Sequence, residues 1–106
     1  MKLNYKIITQ KIKDTVKATD ATAQVILYGS RARGDAKSDS DWDILILVNK
    51  PKVSVKDEQI FGHKLYDVAL ETNQCISTFV YSKKEWNTKF SVTPLYQNIK
   101  KEGIYL

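Results

Sequence analysis

Two apolar runs limit this chain's architecture most strongly: "VILY" at residues 25–28 and "ILILV" at residues 44–48. Neither alternates with polar residues, as a half-buried strand would. Continuous runs with β-branched members read as strands covered on both faces. Gly29 ends the first, and Pro51 closes the second, which spans residues 42–49. "CISTFVYS", residues 75–82, reads as a third strand, with Ile76, Thr78 and Val80 on one side and Phe79 and Tyr81 on the other.

The remaining segments supply the cover. Leu3, Ile7, Ile8, Ile12 and Val16 fall at helical spacing and predict an amphipathic first helix that fades near Thr19. Ser54 and Asp57 have capping-box spacing, and Phe61, Leu65, Val68 and Thr72 then line one helical face. Ser82 and Glu85 repeat that spacing before a short helical segment through Trp86. Thr93 and Pro94 open a last helix with Leu95 and Ile99 on its buried face, and Gly103 stops it. The order α, β, β, α, β, α, α describes an α/β (α+β) chain: a small mixed sheet covered by helices. With 106 residues the chain has room for one core, hence one domain over 1–106.

Composition excludes several function classes. Apolar content of 42% and charged content of 27% are ordinary for a globular protein. No apolar stretch is long enough to cross a bilayer, and the basic N-terminus leads into no signal-type segment, so a cytoplasmic location and no membrane partner are expected. Cys75 is the lone cysteine, which rules out an internal disulfide or a thiolate cluster; at a strand start it is expected to be a small buried or half-buried residue. His63 is the lone histidine, on a helix, so a zinc site is not expected. The net charge of +5 permits a nucleic-acid partner, but the lysines are scattered along solvated faces. Tyr81, Trp86 and Tyr96 are better explained by core packing than by base stacking, so direct nucleic-acid binding is not expected.

One stretch asks for another explanation. "LYGSRARGDAKSDSDWDILILV", residues 27–48, places Gly29 and Ser30 after one buried strand and Asp41 and Asp43 at the head of the next. Residues i and i+2 of a strand share a face, so these carboxylates project together, roughly 7 Å apart at their backbones. Like charges that close raise each other's pKa unless a cation joins them. Hard divalent ions such as Mg²⁺ take oxygen ligands and commonly use one or two carboxylates plus substrate phosphates. Gly29 allows a ligand to approach the backbone, Ser30 offers a hydroxyl and an amide, and Arg31 and Arg33, the chain's only arginines, can pair with phosphate oxygens. Read alone, "SDSDWD" is equally a solvated turn and "GS" an ordinary one. Together, the pieces form a much narrower pattern.

That pattern resembles the minimal nucleotidyltransferases of the DNA polymerase β-like superfamily, whose signature is G-S, roughly ten residues, then D-x-D on the following strand. Here it stands as Gly29-Ser30, residues 31–40, then Asp41-Trp42-Asp43. The resemblance implies the polymerase β-like nucleotidyltransferase fold. It also implies a transfer in which Asp41 and Asp43 hold Mg²⁺, two ions by the two-metal scheme. Gly29 and Ser30 would position the triphosphate of ATP or another nucleotide, with Arg31 and Arg33 as phosphate or leaving-group contacts. The family usually adds a third carboxylate on the next core strand. "CISTFVYS" has none, which leaves Asp67 or Glu71 of the preceding helix as the nearest substitutes. Larger relatives append a helical unit that holds the acceptor. The chain stops at Leu106 without one, so the acceptor is expected on a partner, by analogy a small helical toxin of the HEPN type that receives AMP. The alternative is a catalytically weak or inactive nucleotide-binding antitoxin that acts on its partner by protein–protein contact.

Overall fold

Backbone hydrogen bonding in the computed structural model, which describes residues 2–106 and the side chains of residues 5–106, joins four strands into one sheet in the order β3-β2-β1-β4. The elements are α1 (Lys2–Thr19), β1 (Gln24–Tyr28), α2 (Ser30–Arg33), β2 (Trp42–Val48), α3 (Val55–Thr72), β3 (Ile76–Ser82), α4 (Lys83–Asn87), α5 (Pro94–Glu102) and β4 (Ile104–Tyr105). β1 pairs antiparallel with β2 and with β4, whereas β2 and β3 are parallel, so the sheet is mixed. The parallel pair is connected by α3, which supplies the long crossover that such a pair needs. Among the described residues no helix is long and apolar enough to cross a membrane.

The uninterrupted apolar runs do what their composition requires. One face of the sheet presents Val25, Leu27, Trp42, Ile44, Ile46 and Val48 to α1 and α3, which return Ile8, Ile12, Val16, Phe61, Leu65 and Val68. The other presents Ile26, Leu45 and Leu47 to Trp86 of α4 and Ile99 of α5, with Tyr28, Tyr81 and Tyr96 packed around them. Each fully buried branched side chain contributes about 1.5–3 kcal/mol, so β2, apolar on both faces, anchors the sheet. Trp86 stacks at 5.2 Å on Tyr81 and 5.2 Å on Tyr96, and Tyr81 lies 4.9 Å from Phe90, so these aromatics form a packed cluster.

Local signals and structure agree at most helix ends. Ser54 and Asp57 complete a reciprocal capping box, Thr93 accepts the Tyr96 N–H ahead of Pro94, and Gly103 follows α5. Ser82 accepts the Glu85 N–H, the forward half of the box alone, and its hydroxyl also donates to the Lys50 carbonyl at 2.6 Å. Two elements go beyond the sequence-based order: the four-residue α2 and the two-residue β4 are too short for periodicity to register. Ile7 is 43% exposed, since the inner stripe of α1 runs Ile8–Ile12–Val16 and its neighbour points about 100° away. Leu3 lies outside the described side chains. Cys75, expected to be at least half-buried, is exposed: it lies in the connection from α3, one residue ahead of the edge strand β3.

Candidate active site

β1 runs into Gly29, whose φ of 76° lies where L side chains are strained, and a Cβ placed there would come within 2.2 Å of Asp43 Oδ2. Glycine is therefore required twice, by backbone angle and by space. The antiparallel register sets Asp43 opposite Tyr28, so the strand pairing itself presses the Asp43 carboxylate against the Gly29 backbone. The chain then turns into α2: the Ala32 and Arg33 N–H groups donate to the Gly29 carbonyl at 3.0 Å, and the Gly34 N–H closes the turn on the Ser30 carbonyl at 3.0 Å. Among the described residues, nothing accepts from the Ser30 N–H or engages its hydroxyl. An anion donor is thus left free beside a carboxylate.

Asp41 stands one residue ahead of β2, exposed, and Asp43 is half-buried inside the strand. Asp43's pKa is raised, chiefly by burial and next by the Asp41 charge; Arg33 pulls it back down and Glu102 adds a further push upward. No hydrogen bond or ion pair within the described chain reaches either carboxylate. Two mutually repelling carboxylates, opposed only by the Arg33 charge and held in no ion pair among the described residues, suit a hard divalent cation. Among the described residues no group of three histidine, cysteine or acidic side chains converges to hold a metal ion. A Mg²⁺ ion here would complete its shell with water and substrate phosphate, as is usual for that ion. Tyr28, beside Asp43, has its phenol pushed up to about 12 by burial and then by the charges of Asp43 and Tyr81, so it stays protonated.

The two arginines part company. Arg31 turns back over the loop: its Nη2 donates to the Ser40 carbonyl at 2.8 Å and the Ser38 carbonyl at 3.3 Å, and its guanidinium stacks 4.6 Å above Trp42. Trp42 belongs to the α1–α3 side of the sheet, opposite Asp43, so Arg31 braces the motif from behind. Arg33 stays on the Asp43 side, with Nε on Asp35 at 3.2 Å and Nη1 on Glu102 at 3.0 Å. The structure brings Gly29, Ser30, Arg33, Asp41 and Asp43 together and sends the Arg31 side chain elsewhere.

Neither nearby substitute for a third carboxylate reaches this side of the sheet. Asp67 and Glu71 ride on α3, across the sheet from Asp43, and Glu71 pairs with Lys11 at 2.7 Å. Instead Glu102, at the end of α5, accepts the Gly29 N–H at 2.8 Å and faces Arg33. Its signal in the sequence is faint. A glutamate in the last turn of a helix, where the dipole favours cations, followed by Gly103 and the strand-forming "IY", marks a residue held by something outside its own helix. On the neighbouring core strand, the position in register with Asp43 is Ser77.

Residues 9–106 match the family described as "Nucleotidyltransferase domain". The "Putative protein adenylyltransferase" of Methanocaldococcus jannaschii is 39% identical over 64 residues, covering 60% of this chain and 64% of that relative. This chain thus spans a little less than two thirds of the relative's length. The mixed four-stranded sheet with helices on both faces agrees with the polymerase β-like nucleotidyltransferase fold. With nearly its whole length inside the match, the chain belongs to the nucleotidyltransferase domain family.

Proposed function

We propose that the chain transfers a nucleoside monophosphate, AMP from ATP, to a hydroxyl on a partner protein. One observation carries this reading: two mutually repelling carboxylates form no ion pair among the described residues, and one of them, Asp43, stands against a glycine turn whose Ser30 N–H and hydroxyl are unused. Asp41 and Asp43 are the residues to hold Mg²⁺. When bound, the ion neutralises the triphosphate and stabilises charge on the attacking and leaving oxygens. The chain's own part is to bind and orient. Ser30 and the Arg33 guanidinium take phosphate oxygens, while Gly29 keeps the turn close enough to Asp43 for phosphate and carboxylates to meet. Nucleotidyl transfer then needs little covalent chemistry from side chains, in keeping with a site that contains no histidine. The name of the M. jannaschii relative, a protein adenylyltransferase, supports ATP and a protein acceptor. Family analogy suggests a small helical partner of the HEPN type.

Calorimetry with ATP and Mg²⁺, then transfer of label from α-labelled ATP to that partner, tests the reading. Binding that is absent, or that is unchanged in Asp43→Asn, sinks it. A second reading, neutralisation of the partner by contact without turnover, draws support from Ser77, a hydroxyl where a third carboxylate would stand beside Asp43. It predicts that Asp41→Asn/Asp43→Asn protein still neutralises the partner.

A further inference from the structure

The Gly29 N–H has an acceptor from the far end of the chain. β1 ends at Tyr28, and the next amide donates to Glu102 Oε2 at 2.8 Å across a sequence separation of 73 residues. The same oxygen accepts from Arg33 Nη1 at 3.0 Å. Glu102 is the last residue of α5, where the helix dipole opposes a carboxylate, so the helix does not account for its position. The route that delivers it is specific. The Gly103 N–H closes α5 on the Ile99 carbonyl at 2.7 Å, and β4 then lies along β1 with Ile104 opposite Leu27. A Cβ at Gly103 would meet the Ile99 carbonyl at 2.5 Å and Ile26 Cγ2 at 2.8 Å, so only glycine lets α5 end this close to the sheet.

The consequence falls on Arg33. A half-exposed arginine has many rotamers, and fixing it opposes binding. Here Asp35 grips Nε and Glu102 grips Nη1, which leaves Nη2 without a partner among the described residues and directed by the other two. We propose that Glu102 is a positioning residue of the transfer site: its carboxylate takes the Gly29 N–H and the Arg33 guanidinium together, and so fixes the glycine turn and aims Arg33 at the triphosphate. The proposal rests on the nucleotidyl-transfer reading.

A double-mutant cycle on ATP·Mg²⁺ affinity tests it, with Arg33→Gln measured in the wild-type and Glu102→Gln backgrounds. Glutamine keeps an acceptor for the Gly29 N–H and removes the charge that holds Arg33. Arg33→Gln is expected to weaken binding about tenfold in the wild-type background, as for a charge-assisted contact, and less than about threefold once Glu102 is gone. Equal effects in both backgrounds would make Glu102 a mere brace. A larger effect in Glu102→Gln would make it a competitor for Arg33. Either overturns the proposal. Nucleotide-free amide spectra give an independent readout: the Gly29 resonance should move upfield in Glu102→Ala and largely recover in Glu102→Gln, and a Gly29 resonance that does not respond refutes the contact. If wild-type protein fails to bind ATP with Mg²⁺ while the Gly29 signature is present, the transfer reading has failed and the positioning role falls with it, though the contact stands.

Discussion

Asp43→Asn is expected to make the metal-free protein more stable while removing its response to Mg²⁺. Asn is nearly isosteric, so the contact with the Gly29 backbone is kept and the charge alone is lost. In the native chain that charge is half-buried and stands two residues from Asp41, with Glu102 adding to the repulsion and only Arg33 opposing it. At roughly 7 Å, two unit charges repel by about 0.6 kcal/mol in water and about 2.4 kcal/mol at an effective dielectric of 20. Asp41 is exposed and Asp43 only half-buried, so solvent screening holds the gain near the lower figure, at about 1 kcal/mol. For a chain of this size that corresponds to a rise in Tm of about 4–8 °C. Mg²⁺ at ten times its dissociation constant should stabilise the wild type by about 1.4 kcal/mol and leave the variant unchanged. Thermal melts of both proteins with and without Mg²⁺ read the two effects together. Asp43→Asn melting lower than wild type without metal, or gaining as much from Mg²⁺, would refute the reasoning.

Gly29→Ala is expected to lose about 1–3 kcal/mol from backbone strain alone, seen as a lower denaturation midpoint, and to lose Mg²⁺ binding as the new methyl displaces the Asp43 carboxylate. Ser77→Asp places a third carboxylate in register with Asp43; it should tighten Mn²⁺ binding about tenfold by titration and lower the metal-free Tm, and a variant with unchanged affinity would place Ser77 outside the site. The pH dependence of metal-free stability should contain two opposed contributions. Asp43, whose pKa is raised on folding, favours the native state below its ordinary value of 3.8 and loses that contribution as pH rises through the raised value. Asp57, held near 2 by Lys50 and Ser54, contributes above 3.8 and loses that contribution as pH falls toward 2. Melts across the acid range should show the first effect vanish in Asp43→Asn and the second in Asp57→Asn.

What the sequence disclosed follows the range over which its signals act. Buried strands, capped helices and the Gly29–Ser30 and Asp41/Asp43 elements are local patterns, spelled out within a few residues, and each has its expected place in the fold. Arg31 and Arg33 are two residues apart and look interchangeable, yet a short helix turns one behind the sheet and the other toward Asp43. No periodicity argument separates them, because α2 has barely one turn. Asp67 and Glu71 are nearer to Asp43 than Glu102 is along the chain, but α3 holds them across the sheet. Pairing of β4 with β1 reverses that order. The exposure of Cys75 has a related cause: burial at a strand start depends on packing from elsewhere in the chain.

The hydrogen bond from Gly29 to Glu102 also has a bearing on how the molecule reaches working order. β1 and β2 can zip together across a short connection, and that ribbon already holds both aspartates. Glu102 arrives only after a far larger loop has closed, through docking of a two-residue strand. A newly made chain would thus own its acidic pair before its glycine turn is moored, and competence would wait on the last and smallest strand to dock.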